Sequence, residues 1–86
     1  MKKFLVNSAI LPASMDPMAC AVGMPEMLQK HGIKNVKIRS CYCCGKEGKI
    51  VFFAEAENKE SLMDALTKID MPVASVSEAE EVTLKK

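Results

Sequence analysis

Three of the four cysteines in this 86-residue chain, Cys41, Cys43 and Cys44, fall within four positions and open onto the glycine-flanked turn Gly45–Gly48. Thiolates bind soft and borderline metal ions and exchange with disulfides; reduced, buried thiols also fill space as small apolar groups. Residues two apart on a strand share a face, so Cys41 and Cys43 project together, with Cα atoms about 6.5–7 Å apart. That spacing lets two thiolates meet one tetrahedral ion at about 2.3 Å from each sulfur, and suits a strain-free disulfide poorly. Cys44 faces the other way unless the turn begins early enough for Gly45 to swing it back. Lys46 and Lys49 near the turn, with Arg39 on the Cys41 face, supply positive charge that favours thiolate.

Cys20 lies on the first predicted helix, in Asp-Pro-Met-Ala-Cys, and is a fourth candidate ligand if that helix starts above the hairpin end. Met15, Met18 and Met24 crowd the same region, and thioethers beside thiolates favour a soft ion such as Cu(I). The candidate metal ligands are therefore Cys41, Cys43, Cys44 and Cys20, and the candidate ions zinc, copper(I) and nickel. Plainer readings stand beside these. Cysteine is among the most buried residue types, and for Cys20 alone packing outweighs ligation. Three reduced thiols at a hairpin end invite oxidation, so packing alone accounts for the cluster less well. The double CxxC of a zinc site is absent, and a vicinal Cys43–Cys44 disulfide is a further option. Met24, Met27 and Leu28 at helical spacing read as core, and His31 as a favourable charge at a helix C-terminus. Glu78, Glu80 and Glu81 read as the solvated side of the last strand.

An enzyme would need an acid or base beside a pocket. Only His31, Glu55 and Tyr42 offer one, and no nucleophile–base motif is visible, so no catalytic residue is assigned. With 12 basic and 11 acidic side chains, nothing draws the chain toward nucleic acid or an anionic membrane. One tyrosine and three phenylalanines are few platforms for stacking bases. The opening Met-Lys-Lys-Phe-Leu-Val is interrupted by Asn7 and Ser8, which argues against a signal peptide, and no run has the length of a membrane span. The expected location is the cytoplasm, where thiols stay reduced and clustered cysteines point to metal or redox chemistry before structural disulfides.

The elements that must position the cysteines follow from periodicity. Lys3–Leu11, nearly uncharged, predicts a central strand buried on both faces. Asp16-Pro17 predicts an N-cap and first helical residue, and the helix runs to His31 with Gly32 just beyond its end. Gly23 and Pro25 predict a kink in this helix, or two short helices. Asn35–Cys43 alternates, with Val36 and Ile38 on one side and Lys37 and Arg39 on the other. Gly45–Gly48 turns it into a returning strand, Lys49–Ala56. Asn58 caps a second helix, Lys59–Ile69, with Leu62, Leu66 and Ile69 as its core stripe. Val73–Val82 closes as a strand. The order βαββαβ predicts one ferredoxin-like domain over residues 1–86, an antiparallel four-stranded sheet with both helices on one face. Its bare face, drawing on Phe4 or Leu5, Tyr42, and Phe52 or Phe53, predicts a homodimer.

The stretches Lys-Lys-Phe-Leu-Val, Leu-Gln-Lys-His-Gly-Ile-Lys-Asn-Val-Lys-Ile-Arg-Ser-Cys-Tyr, Gly-Lys-Ile-Val-Phe-Phe-Ala-Glu-Ala-Glu-Asn and Met-Pro-Val-Ala-Ser-Val resemble small dimeric α/β-barrel domains. Among these the nickel-responsive-regulator-like proteins are the nearest in pattern. The resemblance spans nearly the whole chain and implies two ferredoxin-like units packed sheet to sheet. Members proposed to bind metal lean on histidines, whereas this chain has only His31, so no functional residue carries over. The resulting expectation is a cytoplasmic, homodimeric module binding metal through cysteine. The alternatives are a structural or regulatory dimer, or a small thiol-based redox enzyme.

Overall fold

The structure, a computed structural model, describes residues 1–80, 82 and 84. Its elements are β1 (Lys2–Ser8), α1 (Pro17–Lys30), β2 (Val36–Cys44), β3 (Lys49–Ala56), α2 (Lys59–Lys68) and β4 (Val73–Glu78). The strands form one sheet in the order β2-β3-β1-β4, every neighbouring pair antiparallel. Both helices contribute to one core cluster with the inward residues of the sheet, the ferredoxin-like arrangement that the element order predicts. Phe4, Val6, Ile50, Phe52 and Ala54 line its sheet side, and Met24, Leu28, Leu62, Ala65 and Leu66 its helix side. Burying each of the larger side chains is worth about 1.5–3 kcal/mol.

The ends of both helices follow local rules. Asp16 caps α1, its Oδ2 accepting from the Ala19 N–H at 3.2 Å, and Asn58 caps α2, its Oδ1 accepting from the Ser61 N–H at 2.7 Å. At the far end of α1 the Ile33 N–H donates to the Leu28 carbonyl and the Gly32 N–H to Gln29, with Gly32 at φ 68°. The same pair of bonds ends α2, from Met71 to Leu66 and Asp70 to Thr67, with Asp70 at φ 56°. α1 runs unbroken through Pro25, so the two-helix alternative fails.

Several boundaries differ from expectation. β1 stops at Ser8 rather than Leu11, and only one of its faces is buried: Phe4, Val6 and Ser8 point inward, while Leu5 and Asn7 are half-exposed. The low charge of this segment suggested two buried faces, but the helices cover only one. The register also shifts at Asn7/Ser8, where the strand leaves its ladder. There the Ile50 N–H donates to the buried Ser8 Oγ at 2.9 Å, a side chain taking the place of the next backbone rung. β4 ends at Glu78, short of Val82; Glu81 lies outside the described residues.

The sheet face away from the helices is open. Cross-strand partners share a face, so the ladders place Leu5, Phe53 and Ser77 there in one row, with Val51, Tyr42 and Lys49 toward the hairpin. The open choices resolve accordingly: Phe4 and Phe52 are core, and Leu5, Phe53 and Tyr42 are on the bare face. Among the described residues, no helix is long and apolar enough to cross a membrane.

Candidate metal centre

β3 alternates without a fault, half-exposed and buried in turn from Lys49 to Ala56. β2 pairs with it but does not alternate. Its register runs Val36 to Ala56, Lys37 to Glu55 and Ile38 to Ala54, then resumes with Ser40 opposite Phe53 and Cys41 opposite Phe52. Arg39 is the extra residue, a β-bulge. By strict alternation from Val36 and Ile38, Cys41 and Cys43 would point away from the helices. The bulge turns them in.

Cys41 and Cys43 thus share the helix-side face, opposite Phe52 and Ile50. Cys41 packs against the core, while Cys43, one rung closer to the turn, is exposed. Cys44 stays in the strand opposite Lys49, so the turn does not begin early, and Cys44 belongs to the open face beside Tyr42. The turn itself is Gly45–Gly48, closed by the Glu47 N–H donating to the Cys44 carbonyl at 3.1 Å, with Gly48 at φ 69°. Cys20 lies on α1 and packs against the same core as Cys41, so it is on the helix side as well. The four sulfurs do not form one cluster. Among the described residues, no group of three or more His, Cys, Asp or Glu side chains converges to hold a metal ion.

The electrostatics differ from the expected positive surroundings. Burial pushes the Cys41 thiol up from its usual range, the neighbouring Cys43 adds to the rise, and the Tyr42 backbone N–H pulls slightly the other way. Arg39 is not on the Cys41 face: its Nε meets Glu55 Oε1 at 3.1 Å on the open side. Lys49 is committed to Glu47 at 3.3 Å and lies on the Cys44 face. Cys41 is therefore a protonated thiol at neutral pH, and an ion must displace its proton to bind.

The candidate acids and bases do not assemble. His31 is the exposed C-cap of α1. Tyr42 stands opposite Val51 and Glu55 opposite Lys37, four positions apart along β3 and hence about 13 Å. Glu55 is held by Arg39 rather than aimed into a cavity.

No protein-family model matches the chain, and no curated protein matches it. Solved structures do. A crystal structure of a Streptomyces coelicolor A3(2) protein aligns with 94% of this chain and 99% of its own, at TM-score 0.70 and 13% identity. That likeness shows the fold alone. The NMR structure of a heavy metal binding protein from Thermotoga maritima aligns with 92% of this chain and 100% of its own, at 28% identity and TM-score 0.45. At that score the backbones diverge too far for any residue to be carried across. What metal chemistry the chain has must be read from its own side chains.

Sequence reasoning found the Cys41–Cys43 pair but put it on the Arg39 side of the strand and so missed that it faces the helices, because a bulge inside a run of mixed polarity leaves no mark in the spacing. It placed Met18 beside Cys20, yet Met18 is exposed. Met15 and Met24, placed there by the same reasoning, do gather with Cys20, joined by Met27 and by Met71 from beyond α2, whose arrival no local stretch of sequence displays.

Proposed function

We propose that the protein is a small metal-binding module that captures a soft ion through the thiolates of Cys41 and Cys43 and acts as a homodimer packed through its open sheet face. The observation that carries this reading is the bulge at Arg39, which sets both cysteines on the helix-side face two residues apart, Cys41 against the core and Cys43 exposed. Two thiolates suit copper(I), whereas a closed tetrahedral zinc site needs four ligands and no third Cys, His, Asp or Glu converges here among the described residues. Nickel held by histidines, as in the domains this chain resembles, has no donors beyond the exposed His31. Kinship with those nickel-responsive-regulator-like domains belongs to this proposal and rests on the pattern quoted above. Cys44 falls to the dimer interface rather than to the ion.

Elemental analysis of untreated protein, followed by titration with Cu(I), Zn²⁺ and Ni²⁺, tests the metal. Uptake of Cu(I) in preference to the other two supports it; no uptake of any contradicts it. The dimer has its own observation, the half-buried Leu5, Val51 and Phe53 beside an exposed Tyr42. Sedimentation of a dimer that Phe53→Asp converts to monomer supports that part, and a wild-type monomer at every concentration overturns it. A structural or regulatory dimer whose cysteines only pack is what remains if metal uptake fails and dimerisation holds.

A further inference from the structure

A cleft of about 340 Å³ opens where the start of α1 meets the segment that follows α2, and no residue of β2 or β3 lines it. Its lining is dominated by sulfur: Met15, Cys20, Met24, Met27 and Met71. Four of the chain's seven methionines and one of its four cysteines are gathered there. The remaining apolar side chains are only Ala19 and Ile69. Cys20, Met24 and Met27 stand at i, i+4 and i+7 on α1 and so share one face of the helix. Met71 is fixed by its backbone bond to Leu66 at the end of α2, and Met15 by the bond from its N–H to the Pro12 carbonyl at 2.9 Å. Two stretches of chain, residues 14–27 and 69–71, thus converge on one sulfur-lined space.

Packing explains part of this set. Met24 and Met71 are buried members of the core, as gap-filling methionines often are. It does not explain the half-exposed Met15 and the exposed Met27, and Cys20, though packed against the core, is only partly buried. Gly23 adds to the puzzle. It sits inside α1, where glycine weakens a helix by roughly 0.5–1 kcal/mol relative to alanine. Nothing lies within 4 Å of where a Cβ would be, so no crowding requires the missing side chain, and its effect is to keep the cleft clear. Asp16, whose Oδ2 caps α1, and Asp70 also line the cleft.

The geometry points to a second soft-metal site, separate from the Cys41–Cys43 pair, in which the Cys20 thiolate and the thioethers of Met15, Met24, Met27 and Met71 take a monovalent ion such as Cu(I) or Ag(I). Thioethers are neutral, soft donors; they favour Cu(I) over hard cations and leave zinc without the charged ligands it prefers. One thiolate with neutral sulfurs matches a single positive charge, and on binding the ion replaces the Cys20 proton, which passes to solvent.

The test uses Ag(I) as the probe on the full chain carrying Cys41→Ser and Cys43→Ser, so that failure of the hairpin site cannot be mistaken for failure of this one. The methyl carbons of all seven methionines are followed by NMR. Ag(I) should shift Met15, Met24, Met27 and Met71 and leave Met1, Met18 and Met63 in place, and Zn²⁺ should shift none. Adding Cys20→Ala should weaken Ag(I) by roughly tenfold or more, since losing even an outer-shell partner of a metal costs about 10–100-fold. Met15→Leu with Met27→Leu, which alters only the rim, should weaken it while leaving the fold intact. Gly23→Leu should block it without unfolding the helix. Ag(I) that shifts the seven methyls alike, shifts only the exposed ones, or binds the Cys20→Ala protein as tightly, overturns the proposal.

Discussion

Phe52 and Phe53 are neighbours in the chain and stand on opposite sides of the sheet. Phe52 is fully buried, opposite Val6 on one strand and Cys41 on the other. Phe53 is half-buried, opposite Leu5 and Ser40. The helices close the first face, and nothing among the described residues closes the second. The surroundings of each cysteine on this hairpin follow from its parity and its distance from the turn: Cys41 is partly buried, which raises its thiol's pKa, Cys43 on the same face is exposed, and Cys44 shares the open face with Tyr42, Lys49 and the Arg39–Glu55 ion pair.

The largest contrast should come from the phenylalanines themselves. Phe52→Ala leaves a cavity in a closed core and should lower the unfolding free energy by about 3–5 kcal/mol in urea titrations. Phe53→Ala, in protein dilute enough to be monomeric, should cost far less. Equal losses would mean that the two faces are equally packed and would break the comparison.

Ser8 and Asn7 repeat it with polar groups. Ser8→Ala strands the buried Ile50 N–H and should cost about 1–3 kcal/mol, whereas Asn7→Ala removes only an exposed bond to Ser75 Oγ at 3.2 Å. The same denaturation experiment reads both, and Asn7 should lie within about 0.5 kcal/mol of wild type.

The bulge can be tested by counting residues. Deleting Arg39 leaves Ser40, Cys41 and the following residues in their present pairing and removes one ion pair between an exposed Arg39 and a half-buried Glu55, a loss of about 1 kcal/mol. Cys41 should still react more slowly with a thiol reagent than Cys43. Deleting Ser40 as well reverses every later side chain, sends Tyr42 under the helices and turns Cys41 outward. If that double deletion is as stable as the single one, or leaves Cys41 protected, the faces are not set by the register described.

The smallest effect is on pH dependence. Unfolded Cys41 loses its proton near pH 9.0, and burial raises that point in the folded chain. Below pH 9.0 both states hold the proton and this group adds no slope. Above it the folded state binds more protons than the unfolded one, so stability falls as the pH rises toward the folded value. Cys41→Ala should flatten the alkaline side of a stability–pH curve, and an unchanged alkaline slope would contradict the burial of this thiol.

Much of this architecture is legible in the residues. Asp16-Pro17 and Asn58 announce helix starts because their side chains meet specific orphan N–H groups, and Gly32 announces an end because few other residues adopt its backbone. β3 is legible because one helix-covered face imposes strict alternation. The other features depend on partners far away in sequence. The extent of β1 is decided by Ser8 meeting Ile50, the parity of Cys41 by an extra residue that only pairing with β3 exposes, and the sulfur-lined cleft by Met71 returning at the end of α2. Asp70 shows the limit in another way: it takes the left-handed position that glycine fills in α1, and nothing in its side chain requires it.

A serine scan of the hairpin tests the central claim most directly. Cu(I) bound per chain is measured against a competing chelator for Cys41→Ser, Cys43→Ser and Cys44→Ser. The account predicts that either of the first two loses one bound Cu(I) relative to wild type and that Cys44→Ser loses none. Loss with Cys44→Ser equal to that with Cys41→Ser, or no loss with any of the three, would contradict it.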